Sequence, residues 1–133
     1  MNKFKNTDLG LLLLRLSVGW FMIYGHGWGK LMKLFGDGPI KFGDPLGLGP
    51  ELSLFLAVFA EVLCSIFLML GLFTRQALIP LIITMLTAIL FVHLGDPFGR
   101  LEKALMYLLP YIALFFTGPG RYSFDAILRK VNV

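Results

Sequence analysis

Six ionisable side chains sit in or against long apolar runs of this 133-residue chain: Arg15, His26, Lys30, Glu61, His93 and Glu102. In hydrocarbon each is costly, so such residues turn toward a protein interior, pair with one another, and mark ligand or proton routes. Arg15, Gly19, His26 and Lys30 follow at offsets of four, seven and four, which lays them on one face of a helix. Gly25 and Gly29 flank that stripe as G-x-x-x-G, a spacing that lets a second helix come close. Glu61 lies in the middle of the next apolar run. With neighbouring helices antiparallel it falls within reach of Arg15, so an Arg15–Glu61 ion pair is expected, with Tyr111 deep enough to hydrogen-bond it. Two roles are open for such a pair: fixing helix register, or binding a polar ligand.

His26 and Lys30 close the first apolar run, His93 closes the third and Glu102 opens the fourth. All of these ends fall on one side, and with Asp96 and Arg100 they are expected to gather into a polar site at the mouth of a bundle. Histidine titrates near neutral pH, and Glu102 beside it could exchange a proton with water. For Lys30, Asp96, Arg100 and Lys103, simple placement in the lipid headgroup layer competes with that role. No H-E-x-x-H pattern or Cys/His ligand spacing occurs, so no metal site is expected. Cys64, the one cysteine, reads as a small buried hydrophobe with no disulfide partner.

Four apolar segments are long enough to position these residues across a hydrocarbon core: about 9–28, 52–73, 77–94 and 103–118. Gly36-Asp-Gly-Pro and Gly43-Asp-Pro-Leu-Gly-Leu-Gly-Pro50 break the chain into turns, Thr74-Arg75-Gln76 is a tight connection, and Gly95-Asp-Pro-Phe-Gly99 separates the last two segments. Pro80 and Pro110 lie inside spans, where neighbouring groups can satisfy the freed carbonyls. Beyond Gly120, Phe124, Ile127, Leu128 and Val131 recur at helical spacing after Ser123, a cap residue. This predicts a short amphipathic helix lying at the interface, with Arg129 and Lys130 toward headgroups. The fold class expected is all-α: one domain, residues 1–133, forming a four-helix transmembrane bundle with a short interfacial C-terminal helix.

Composition agrees. Hydrophobic residues make up 57% and charged residues 15%, and the mean hydropathy is +0.80. A domain this small has too much surface to hide that apolar content from water, so lipid is part of its solvent. The net charge of +4 comes from loops and tails rather than a basic stripe, which excludes nucleic acid as a partner. Lys3 and Lys5 precede the first run as in a signal peptide, yet Arg15 interrupts it and no small-residue cleavage site follows, so the segment reads as retained. Lys3, Lys5, Arg75, Arg121, Arg129 and Lys130 on one side, against Lys30, Lys33, Lys41, Arg100 and Lys103 on the other, place both termini in the cytoplasm.

The order Arg15-Leu-x-x-Gly19, His26-Gly-x-x-Lys30, Glu61, Leu70-Gly-Leu-x-Thr-Arg75, His93, Glu102 and Gly118-Pro-Gly-Arg-Tyr-Ser-Phe-Asp125 resembles the DoxX family over nearly the whole chain. The resemblance implies a four-helix, multi-pass protein of the bacterial cytoplasmic membrane. The family takes its name from a small subunit associated with quinone-linked oxidation of sulfur compounds, and many members carry an oxidoreductase name by analogy. On that footing the chain would be an accessory or quinone-interacting subunit of a membrane redox complex, with quinone as its cofactor, none bound covalently, and a soluble or membrane oxidoreductase as partner. No self-contained catalytic motif is present: G-x-S-x-G, P-loop and dinucleotide fingerprints are all missing. Two other functions fit the same polar stripe. One is a small transporter or lipid-binding protein, which with four helices would have to form a homo-oligomer; the other is a scaffold whose charges only specify packing.

Overall fold

Glycine and proline set where this chain turns. The computed structural model describes residues 3–131, with side chains from 5 to 130; the side chains of Lys3 and Val131, counted above in the basic flank and the last apolar face, lie outside the described residues. The first helix, α1, runs over residues 3–34, some six residues past the expected end at Trp28. Helix α2 spans Pro50–Leu70 and opens with Pro50 behind Gly49 at φ 95°, a proline placed where the missing N–H costs nothing. Gly71 ends α2 in the left-handed region at φ 67°; its N–H donates to the Leu68 carbonyl (3.1 Å) and that of Leu72 to the Phe67 carbonyl (2.9 Å). Helix α3 (Thr74–Val92) starts three residues later, and α4 (Phe98–Thr117) follows Pro97 and stops at Gly118. The short α5, Phe124–Val131, is capped as expected, the Ala126 N–H donating to Ser123 Oγ at 3.2 Å.

Helices α1 to α4 form an antiparallel, up-and-down bundle. Side chains of α1 meet α2 from Arg15 at Leu68 to Lys30 at Glu61, while Arg75 at the start of α3 meets Phe115 near the end of α4. Between them lies a core that includes Val18, Met22, Leu68, Leu78, Leu81, Leu108, Tyr111 and Leu114. The outward faces are as apolar as the core: Leu13, Tyr24, Phe91 and Phe116 are all more than half exposed. A water-soluble monomer does not show so continuous an apolar exterior.

Among the described residues, length and apolarity qualify three helices to cross a bilayer: α1, α2 and α3. Helix α4 has 20 residues, starting earlier than expected, but Arg100, Glu102 and Lys103 crowd its beginning, so the fourth span is not established by the same criterion. Among the described residues there is no strand.

Each of α1, α2 and α3 contains one π-helical turn, at Ile23–Gly27, Phe59–Cys64 and Ala88–Val92. A π turn inserts one residue and rotates everything beyond it relative to an α-helix, and such turns often adjoin functional sites.

A cavity walled by Lys30 and Glu61

The π turns of α1 and α2 meet, and Gly27 is the reason they can. A Cβ at Gly27 would stand 2.8 Å from Val62 Cγ2 and 3.1 Å from the Glu61 backbone. Gly19 plays the same part lower down, against Met69 and Ser65. Gly25 and Gly29, the expected G-x-x-x-G contact, have nothing within 4 Å where a Cβ would be. The inserted residue explains the exchange. The buried series of α1 runs Arg15, Val18, Gly19, Met22 and then Gly27, so a five-residue step carries position 27 to where an α-helix would have put 26.

One turn beyond Gly27, Lys30 Nζ donates to both oxygens of Glu61 at 2.7 Å. The Glu61 side chain is 2% exposed and that of Lys30 29%. Beside the pair opens a cavity of about 380 Å³, bounded by the end of α1, the 42–48 loop, α2 and α3. Its walls are mostly apolar, with Phe42, Leu56, Ile83 and Val92 among them, and its polar groups include Lys30, Glu61, Thr87 and His93. Two more polar groups are already engaged: Thr84 Oγ1 donates to the Pro80 carbonyl (2.7 Å) and Ser53 Oγ to Asp44 Oδ1 (3.1 Å).

Asp44 secures the loop over this cavity. Its carboxylate accepts from the backbone N–H groups of Leu48 (2.7 Å) and Gly49 (2.9 Å) as well as from Ser53. The Gly49 bond first, then those from Leu48 and Ser53, hold the carboxyl below its ordinary range. His93 Nδ1 lies 2.8 Å from Asp96 Oδ2, and Arg100 stands 3.7 Å from the same oxygen. The His93 hydrogen bond, with help from Arg100, lowers the Asp96 pKa.

The six candidate residues therefore separate. Lys30, Glu61 and His93 share the cavity. His26, moved off the buried face by the π turn, packs edge-on against Tyr107 with ring centroids 5.4 Å apart and is not among the cavity's lining residues. Glu102 is exposed on α4 and does not join it.

Arg15 does not pair with Glu61. It is fully buried, and its guanidinium donates to four main-chain carbonyls: Nε to Pro119 (3.0 Å), Nη1 to Leu68 (3.3 Å) and Met69 (2.9 Å), and Nη2 to Tyr122 (2.6 Å). The carbonyls of Leu68 and Met69 belong to the C-terminal end of α2, where the helix dipole favours a cation. Lys30 is the nearer base for Glu61. Tyr111, expected to bond such a pair, is buried with no hydrogen-bond partner for its hydroxyl among the described residues.

Two carboxylates that hold the structure were given no partner by the sequence. Asp125 caps α3 from a distance, accepting from the N–H groups of Phe73 (2.8 Å) and Thr74 (2.9 Å) and from Thr74 Oγ1 (2.7 Å). Asp44 holds the loop. For Asp44 the signal was present, an Asx followed by Gly-rich turns; Asp125 stood in a motif, but nothing local named its partners, which lie about fifty positions away.

Known proteins sharpen this picture. The family described as DoxX matches residues 10–94. A protein of Haemophilus influenzae described as uncharacterized is 34% identical over 122 residues, covering 86% of this chain and 87% of its own. The Bacillus subtilis protein named "Putative oxidoreductase CatD" is 30% identical over 127 residues, 95% of this chain and 92% of its own. "Inner membrane protein YqjF" of Escherichia coli is 30% identical over 133 residues, 95% and 97% of the two chains. No solved structure matches.

Proposed function

This chain belongs to the DoxX family of membrane proteins, and from that premise we propose that it is a quinone-interacting accessory subunit of a membrane redox complex. The observation that carries this is the Lys30–Glu61 pair on the wall of an apolar 380 Å³ cavity. A quinone head group is flat, apolar on both faces and edged by carbonyl oxygens. The cavity offers apolar walls and few polar groups, the usual make-up of a small-molecule site. An ammonium has three N–H donors; Glu61 takes two, and the third suits a carbonyl. Glu61 holds that ammonium in place. His93, braced by Asp96 through Nδ1, leaves its other ring nitrogen to hydrogen-bond a ligand oxygen. When bound, a quinone supplies two-electron, two-proton chemistry; the electrons come from an oxidoreductase partner. The name of the Bacillus subtilis relative supports the reading.

In this proposal α4 is the fourth span, short of charge only beyond Lys103, and the protein sits in the bacterial cytoplasmic membrane with both termini cytoplasmic. The cavity then faces the opposite side. A homo-oligomer would cover part of the apolar exterior.

The test uses purified protein in lipid nanodiscs, assayed for co-purified quinone and titrated with a short-chain naphthoquinone. Saturable binding in the wild type that is lost in Lys30→Met supports the proposal. Absence of both retained and titratable quinone in the wild type rejects it.

A further inference from the structure

At the opposite end of the bundle lies a second and larger depression of about 1140 Å³, between α5, the starts of α1 and α3, and the 117–121 turn. Four cations line it, Arg75, Arg121, Arg129 and Lys130, against two carboxylates, Asp8 and Asp125. Both carboxylates are committed. Asp125 accepts the three bonds that cap α3, and Asp8 accepts the Arg121 N–H (3.0 Å) and faces the Arg121 guanidinium at 3.8 Å. Arg75 Nε donates to the Phe115 carbonyl (3.0 Å), leaving its other donors. Arg129 and Lys130 have no carboxylate partner among the described residues. The result is a groove with excess positive charge whose internal anions cannot neutralise it.

Its surroundings fix the depth. Phe73 and Leu128 line the groove, and Phe124, Ile127 and Phe116 beside it are exposed apolar side chains. An amphipathic helix with basic residues on one side and exposed aromatic and aliphatic residues on the other lies in the headgroup region of a bilayer. Cations at that level attract anionic lipid. Phosphate matches guanidinium geometry bidentately, and two arginines here have donors to give.

We propose that this groove is a binding site for the phosphate-bearing headgroup of an anionic phospholipid, seated against Arg129 and Lys130 with Arg75 and Arg121 completing its rim. The site is separate from the Lys30–Glu61 cavity and does not depend on the quinone proposal.

The experiment uses the full chain in nanodiscs of phosphatidylcholine doped with phosphatidylglycerol. Lipid retained after mild detergent extraction is counted by native mass spectrometry. The wild type is expected to retain phosphatidylglycerol in preference to phosphatidylcholine. The double variant R129Q/K130Q should lower that preference by about thirtyfold, with unchanged thermal unfolding because both side chains are exposed. Lys5→Gln, an exposed basic residue outside the groove, should keep it. Equal retention of the two lipids by the wild type overturns the proposal. So does an equal loss in Lys5→Gln, which would mean general surface attraction. Displacement of the retained lipid by millimolar inorganic phosphate would reassign the groove to free phosphate and overturn the lipid assignment. Quinone binding, read in the same nanodiscs, is expected to be the same in all three proteins.

Discussion

Lys30 Nζ stands 2.7 Å from each oxygen of Glu61, one turn past the point where Gly27 lets α1 rest on the backbone of α2. The two partners differ in what their loss exposes. Glu61 is almost wholly enclosed, whereas Lys30 reaches the cavity and can redirect its flexible stem toward water.

Truncating Lys30 therefore strands a buried carboxylate. Lys30→Met is expected to destabilise by about 3 kcal/mol, and Glu61→Gln by roughly half of that. Lys30→Met with Glu61→Met together should recover most of the loss. Thermal unfolding in a fixed detergent measures all three. If the double variant also recovers quinone binding, the pair has only a packing role.

Arg15 is a clamp rather than an ion-pair partner. Arg15→Met takes the guanidinium away from four carbonyls, of which that of Leu68 keeps the Gly71 N–H, and is expected to cost about 3–5 kcal/mol, in line with loss of a buried charged network. Arg15→Lys should restore only part of it, because a single ammonium cannot fan out to Leu68, Met69, Pro119 and Tyr122. A double-mutant cycle of Arg15→Met with Glu61→Gln should show coupling below about 0.5 kcal/mol. Coupling of several kcal/mol would restore the direct pair.

The glycines of α1 separate just as sharply. Gly27→Ala drives a methyl into Val62 and the Glu61 backbone and should destabilise by about 1–3 kcal/mol. Gly25→Ala and Gly29→Ala meet open space, and the helix propensity of alanine should leave them neutral or up to about 1 kcal/mol more stable. Unfolding of the three single variants, compared side by side, checks the ordering.

The loop over the cavity carries a pH dependence through Asp44. Its folded pKa is lowered by the Gly49, Leu48 and Ser53 bonds, so the contribution is complete above the ordinary value of 3.8 and fades as pH falls through and below it. Protease nicking within residues 36–49 should be slow at neutral pH and rise in strong acid. Asp44→Asn should be nicked faster at neutral pH and change less with acid. Equal nicking of both proteins at neutral pH would remove Asp44 from this role.

The elements were legible because hydropathy, glycine and proline act locally. Pro50, Gly118 and Ser123 each mark a boundary that the folded chain keeps, whereas the connection expected at Thr74-Arg75-Gln76 is the first turn of α3 and the chain turns at Gly71–Phe73 instead. The α4 boundary was less so, since Arg100, Glu102 and Lys103 masked a helix start that depends on Pro97 rather than on apolarity.

The candidate residues were partly legible for the same reason. An ionisable side chain in an apolar run announces itself, and so Arg15, Lys30, Glu61 and His93 stood out by type alone. Their partners did not. A 3.6-residue period put His26 on the face of Arg15, and no feature of the sequence signalled the inserted π-turn residue that gives the place to Gly27. Arg15 found carbonyls instead of Glu61 because the Gly118–Tyr122 turn folds back against α1, bringing the Pro119 and Tyr122 carbonyls to a residue more than a hundred positions away. Sequence alone determined a membrane-embedded helical chain with costly charges inside it, because burial of apolar surface is read residue by residue. Which charge meets which, and that Lys30 and Glu61 wall a cavity while Arg15 ties down the tail, was decided only in the tertiary structure, where helix register and chain return set the distances.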